Sequence, residues 1–84
     1  MKYEVEWGPR AEEMLADIWL AASDRNAVTR ATEWLELRLA VNPLELGESR
    51  RSSLERVAFR PPLGIEFEVV EDDLRVVVQG VFVS

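Results

Sequence analysis

Four arginines lie close together in the middle of the chain and are the residues best suited to chemistry. They are Arg50, Arg51, Arg56 and Arg60. Residues 49–60 contain only one acid besides, a net charge of +3, whereas the whole chain of 84 residues has a net charge of −6. A guanidinium group binds phosphate oxygens through paired hydrogen bonds, and it can stabilise the charged intermediate of RNA cleavage. The four arginines therefore predict a surface that binds RNA or another target.

A second interpretation of these arginines is structural. Arg56 and Arg60 share one face of a predicted strand, where they would be solvated and offset by Glu66 and Glu68 of the next strand. The acidic net charge also disfavours unassisted binding to a polyanion. From the sequence alone both interpretations stay open.

Groups suited to proton transfer or metal binding are scarce. The sequence has no histidine and no cysteine, which removes the commonest general base, the commonest zinc ligand and every thiolate. No histidine is present to activate a serine nucleophile at Ser49, Ser52 or Ser53. The acids from Glu66 to Asp73 are hard ligands, but Asp72 and Asp73 stand where a hairpin turn belongs. We therefore expect neither a metal site nor a cofactor.

The three tryptophans have two possible uses, stacking on a ligand or packing. Trp7, Trp19 and Trp34 each lie on or beside an apolar stripe, which favours packing. Trp34 lies furthest from the centre of its stripe. We expect it to be the most peripheral of the three and the best candidate for a contact with a partner.

The polarity pattern predicts a single α+β domain over residues 1–84. An alternating strand precedes two amphipathic helices, which should form an antiparallel hairpin because almost no chain separates them. A three-stranded antiparallel sheet follows a loop at residues 43–53. Its last strand is apolar on both faces, which is typical of a central strand. The predicted strands and helices occupy, in chain order, residues 2–7, 9–22, 25–41, 54–60, 63–70 and 74–83.

Composition also bears on where the protein works. No apolar run reaches the roughly 18 residues that a membrane span needs, so we expect no membrane insertion. The lack of cysteine favours a reducing cytoplasm. Self-association stays open, since small domains often bury surplus apolar area in this way.

The order and spacing of five short motifs resemble the RelE/ParE superfamily, the toxins of bacterial type II toxin–antitoxin pairs. The motifs are Y-x-V-x-W at 3–7, A-E-x-x-L-x-D-I-W at 11–19, N-P-L-x-L-G-E-S-R at 42–50, L-x-R-V-x-F…L-G-I-x-F-x-V at 54–69 and D-D-x-x-V-V-V-x-G-V at 72–81. The resemblance implies a β-α-α-β-β-β fold over nearly the whole chain. It also implies a cognate antitoxin protein that wraps the toxin.

Two activities follow from the resemblance. RelE-like members cut mRNA in the ribosomal A site with lysines and arginines of the sheet, whereas ParE-like members bind DNA gyrase. The basic positions of the family correspond to Arg50, Arg51, Arg56 and Arg60, which become the candidates for RNA or target binding. Arg56, Arg60 and Arg75 are the candidates for catalysis. We therefore expect a toxin-like protein that either cleaves ribosome-bound mRNA or binds a protein target such as gyrase.

The sequence departs from the RelE-like pattern at two places. Gly64, beside Leu63, stands where the family has a hairpin arginine, so that cation is missing, whereas Phe67 stands where the family has an aromatic residue, often tyrosine. The chain ends at Phe82-Val83-Ser84, without a basic or tyrosine-bearing tail. These departures favour an alternative hypothesis, a catalytically inert module of the same fold that only binds other proteins.

Overall fold

The computed structural model describes residues 2–49 and 55–84. Its elements are, in chain order, β1 (Glu4–Trp7), α1 (Pro9–Ala21), α2 (Arg25–Val41), β2 (Glu48–Ser49), β3 (Glu55–Arg60), β4 (Leu63–Val70) and β5 (Arg75–Val83). The predicted α+β class and the order of strand, two helices and three strands are confirmed. Within the described residues, the two-residue strand β2 is an addition, and it lies in the segment predicted as a loop.

Local sequence signals explain why the two helices begin and end where they do. Pro9 opens α1, where its missing N–H costs nothing. Asp24 caps α2, since its carboxylate accepts a hydrogen bond from the Ala27 N–H at 3.1 Å. Asn42, the residue before Pro43, closes α2 by donating its N–H to the Arg38 carbonyl. Among the residues that the structure describes, no helix is long and apolar enough to cross a membrane.

The strands form one sheet in the order β1-β5-β4-β3-β2. β1 pairs with β5 in parallel, and every other pair is antiparallel. The N-terminal strand thus joins the C-terminal sheet beside the last strand of the chain. β5 lies between two strands, as its apolar pattern predicts. The acidic segment after β4 forms the predicted turn into β5.

The core lies between the helix pair and one face of the sheet. The helices contribute Ala11, Val28, Ala31, Leu35 and Leu39, and the sheet contributes Ala58, Leu63, Ile65, Phe67, Val69, Val76, Val78 and Val81. An irregularity opposite Glu66 and Phe67 shifts the register of β5, so that both Val78 and Val81 are buried although three positions separate them. We call the helix-covered side of the sheet the inner face and the other side the outer face.

The strand register corrects the structural interpretation of the arginines. Arg56 pairs with Phe67 and Arg60 with Leu63, so both arginines belong to the inner-face set. Glu66 pairs with Val57, and Glu68 with Glu55, which places the acids on the outer face. The predicted offset of these arginines by Glu66 and Glu68 is therefore wrong.

Candidate arginine–tryptophan site

Two guanidinium groups lie against the ring of Trp34. Arg38 follows one helical turn later on α2, and its Cζ atom is 5.2 Å from the ring centroid. Arg60, the last residue of β3, reaches the same ring at 4.8 Å. Each distance is that of a cation–π contact, in which the negative face of the indole attracts the guanidinium. We call these three residues the arginine–tryptophan site.

A shallow surface pocket of about 240 Å³ adjoins this site. Its lining includes Trp34 and Arg38, together with Asn42, Glu45 and Leu46. The pocket thus combines an aromatic surface, a cation, an amide and a carboxylate. These groups together can bind a surface that offers both polar groups and a planar ring, such as that of a partner protein or an exposed nucleic-acid base.

Arg56 holds the loop that borders this pocket. Its Nε donates a hydrogen bond to the Leu46 carbonyl at 3.0 Å, and its Nη2 donates to the Gly47 carbonyl at 2.9 Å. Gly47 has a φ of 72°, a conformation that favours glycine. The guanidinium group of Arg56 thus binds backbone carbonyls of the loop. Arg56 is therefore a positioning residue for the loop.

Arg75 lies on the opposite face of the sheet from Arg56 and Arg60. It begins β5 opposite Val70, on the outer face, and its Nη2 lies 2.6 Å from a carboxylate oxygen of Glu6. The hydrogen bond to Glu6, reinforced by that residue's charge, raises the pKa of Arg75 above its ordinary value. Arginine is already charged near neutral pH, so the raised pKa does not change the charge of Arg75 there. The structure does not bring Arg75 together with Arg56 and Arg60.

Some sequence candidates cannot be placed in the structure, and one residue of the site was missed in the sequence. Arg50, Arg51, Ser52 and Ser53 lie outside the described residues. Arg38 was not singled out from the sequence, although its position four residues after Trp34 on one helix could have indicated the contact. No group of three or more acids able to hold a metal ion occurs in the described parts of the chain.

The prediction that Trp34 is the most peripheral tryptophan is wrong. Trp34 and Trp7 are half-buried, whereas Trp19 is 39% exposed. The indole N–H of Trp19 donates to the Thr29 hydroxyl at 3.3 Å, and Arg25 lies 4.7 Å from its ring centroid. Trp34 is more enclosed because Arg38 and Arg60 cover its ring.

Packing on the outer face explains why residue 64 is glycine. A Cβ atom built at Gly64 would lie 2.3 Å from the ring of Phe82. Phe82 in turn makes an edge-to-face contact with Phe59, with ring centroids 5.7 Å apart. The position at which the resemblance places a family arginine is therefore occupied by the Phe82 ring.

The fold is also found in solved structures of toxins. The RelBE2 toxin–antitoxin complex from Mycobacterium tuberculosis matches with a TM-score of 0.81 at 19% identity, over 100% of both chains. A free mutant of the E. coli toxin RelE matches with a TM-score of 0.73 at 15% identity, over 96% of this chain and 82% of the other. The chromosomal ParDE system of P. aeruginosa matches with a TM-score of 0.72 at 12% identity, over 98% and 96%.

Sequence comparison adds nothing to this likeness. No family model matches the sequence, and no curated protein is significantly similar to it. The likeness therefore lies in three-dimensional structure, across nearly the full length of the chain. The chain has the RelE/ParE toxin fold.

Proposed function

We propose that this chain is the toxin-like component of a type II toxin–antitoxin pair and works in the cytoplasm with a cognate antitoxin as its partner. The observation that carries the proposal is the full-length agreement with the chain from the RelBE2 complex, at a TM-score of 0.81. ParDE and RelBE structures of comparable coverage support the same pairing.

The placement of the cations that the structure describes favours binding of a protein target, such as DNA gyrase, over mRNA cleavage. Cleavage needs several cations converging on one phosphate and a group that accepts a proton. Arg56 donates to the loop carbonyls, Arg75 pairs with Glu6 on the outer face, and Phe82 fills the space beside Gly64. The chain has no histidine to serve as a base.

The arginine–tryptophan site is the surface that we assign to the target. Trp34, Arg38 and Arg60 belong to the residue types that carry most binding energy in protein interfaces. Their cation–π contacts hold the side chains in place before binding, which reduces the entropy lost on association. The net charge of −6 is compatible with a protein target and unfavourable for RNA.

Induction of the chain in bacterial cells tests the proposal. We expect growth arrest, relieved when the product of the adjoining reading frame is expressed with it. Trp34→Ala should weaken the arrest at least about tenfold in inducer dose, as expected for the loss of a central aromatic contact. Trp19→Ala is the matched control, because Trp19 also lies on a helix beside an arginine but outside the site.

Two results would contradict the proposal. Unimpaired growth at every level of soluble expression would favour the inert interaction module. Equal loss of arrest in both tryptophan variants would show that the arginine–tryptophan site has no special part in it.

A further inference from the structure

A cavity of about 510 Å³ lies where the connection between α1 and α2 approaches the sheet. Its lining comes from the C-terminal end of α1, the connecting residues, the first turn of α2, Pro62 of the turn between β3 and β4, and Val83 of β5. Pockets that bind small molecules have volumes of roughly 300–1,000 Å³. We call this feature the hairpin-end cavity. Trp34, Arg38 and Arg60 of the arginine–tryptophan site do not line it.

The surface of the hairpin-end cavity is mostly apolar. Ala21, Ala22 and Ala27 supply only methyl groups, so the space between the helix ends and Pro62 stays open. Val83, which also lines the cavity, is 68% exposed, a large fraction for a valine in a strand. An apolar group placed in the cavity would remove these side chains from water, which is favourable. The cavity therefore suits the apolar part of a ligand.

Two carboxylates border this apolar surface. Among the described residues, the charged side chains that line the cavity are those of Asp17 and Asp24. The Asp17 carboxylate has no ion pair and no hydrogen bond in the part of the chain that the structure describes. The Asp24 carboxylate uses one of its two oxygens to accept the hydrogen bond from Ala27 that caps α2. A positively charged group in the cavity would therefore lie beside two acids.

The nearest cation in the sequence does not neutralise these acids. The Nε and Nη2 atoms of Arg25 donate to the Trp19 and Leu20 carbonyls at 3.2 and 3.0 Å, and its Cζ atom is 4.7 Å from the Trp19 ring centroid. Neither Trp19 nor Leu20 lines the cavity. The N-terminal end of α2, which would favour an anion, is already capped by Asp24. The charges at the cavity thus favour a cation over an anion.

We propose that the hairpin-end cavity binds a small organic cation, namely an ammonium group carried on an alkyl or aryl body. The body would contact Ala21, Ala22 and Val83, while the ammonium group would pair with Asp17 at the edge of the apolar surface. A neutral molecule of the same shape would cover the carboxylates without pairing them, and an anionic one would be repelled. The cavity can bind such a ligand whether or not the chain acts as a toxin.

Three probes with the same body and different head groups test the proposal. They are 4-phenylbutylamine, 4-phenylbutanol and 4-phenylbutanoate, titrated into the isotopically labelled full chain at neutral pH and low salt. Amide chemical shifts should show saturable binding of the amine at residues that line the cavity, about threefold tighter than binding of the alcohol. The carboxylate probe should bind more weakly than the alcohol. The preference for the amine should shrink at high salt, because the ion pair is open to solvent.

Two substitutions, each with a matched control, separate the cavity from general attraction to an acidic protein. Asp17→Asn should lower the amine affinity about threefold and leave the alcohol affinity unchanged, whereas Asp72→Asn in the exposed turn before β5 should change neither. Ala21→Phe should fill the cavity and weaken the amine and the alcohol at least about tenfold. Its control is Ala16→Phe, an equally large change at an exposed position of α1 outside the cavity.

Four outcomes would overturn the proposal. One is the absence of saturable shifts with the amine up to its solubility limit. Another is equal affinity for the amine and the alcohol at low salt, which would mean that the acids take no part. The third is amine binding that Ala21→Phe leaves unchanged, and the fourth is an equal effect of Asp17→Asn and Asp72→Asn. Circular dichroism of each variant establishes that the comparison is made between folded proteins.

Discussion

Replacing Phe67 by alanine should lower the free energy of unfolding by about 3–5 kcal/mol. Phe67 is 1% exposed and lies at the centre of β4, between Arg56 of β3 and Val78 of β5. Truncation removes a large apolar side chain and leaves a cavity that the rigid sheet cannot close. A domain of this size has a total stability of only roughly 5–15 kcal/mol, so the variant should be near the limit of folding.

The matched control for this substitution is Phe59→Ala. Phe59 lies on the outer face and is 58% exposed. It should lose only about 1 kcal/mol, mainly from its edge-to-face contact with Phe82. Urea unfolding followed by circular dichroism measures both variants. A smaller loss for Phe67→Ala than for Phe59→Ala would contradict the assignment of the inner and outer faces.

The second large effect should come from Gly47→Ala. The φ of 72° at Gly47 strains any residue with a Cβ atom, and a Cβ built there would lie 2.0 Å from the Val57 carbonyl oxygen. Since that atom belongs to the backbone of β3, the loop has to move away from the strand. The movement would break the hydrogen bonds that Arg56 donates to the loop. We expect a loss of about 1–3 kcal/mol.

Gly80→Ala serves as the control for the glycine substitution. A Cβ at Gly80 would lie 3.1 Å from a carboxylate oxygen of Glu66, the far end of a flexible side chain. It should therefore cost less than Gly47→Ala. Urea unfolding gives the free energies, and the growth-arrest assay at matched soluble expression shows whether the loop supports the arginine–tryptophan site. Equal stability of Gly47→Ala and the parent chain would exclude the tight approach of loop and strand.

The helices could be predicted from the sequence because their signals are local. Pro9, Asp24 and Pro43 mark ends of α1 and α2, and the apolar residues between them recur at helical spacing. The central position of β5 was also predictable, since a strand that is apolar on both faces is typical of the interior of a sheet rather than its edge. These features depend on residues adjacent in the chain.

The face of β3 could not be predicted in the same way. Its alternate positions carry Val57 and Phe59 on one side, and Arg56, Ala58 and Arg60 on the other. Hydrophobicity favours burial of the first set, whereas the structure buries Ala58 and exposes Phe59. The reason is long-range: Phe82 meets Phe59 on the outer face, while Trp34 and the Gly47 loop receive the arginines on the inner side. None of these contacts is local in sequence.

For the same reason, only part of the arginine–tryptophan site could be predicted from the sequence. Trp34 was proposed for a partner contact, and Arg38 is one turn away on the same helix. Arg60 comes from another element, and only the packing of α2 against β3 brings it to the same ring. The sequence pattern therefore indicated the right residue types, but it could not predict that they lie together in the fold.

Mapping the ends of mRNA molecules in arrested cells is the most direct test of whether the chain binds a target or cuts RNA. Cells are arrested by induction of the chain, and primer extension maps the 5′ ends of translated messages. We expect arrest with mRNA ends the same as in uninduced cells, together with loss of arrest in Trp34→Ala and Arg60→Ala. New ends within translated codons that appear on induction, and disappear in Arg56→Ala or Arg75→Ala, would contradict the proposal and establish a ribonuclease.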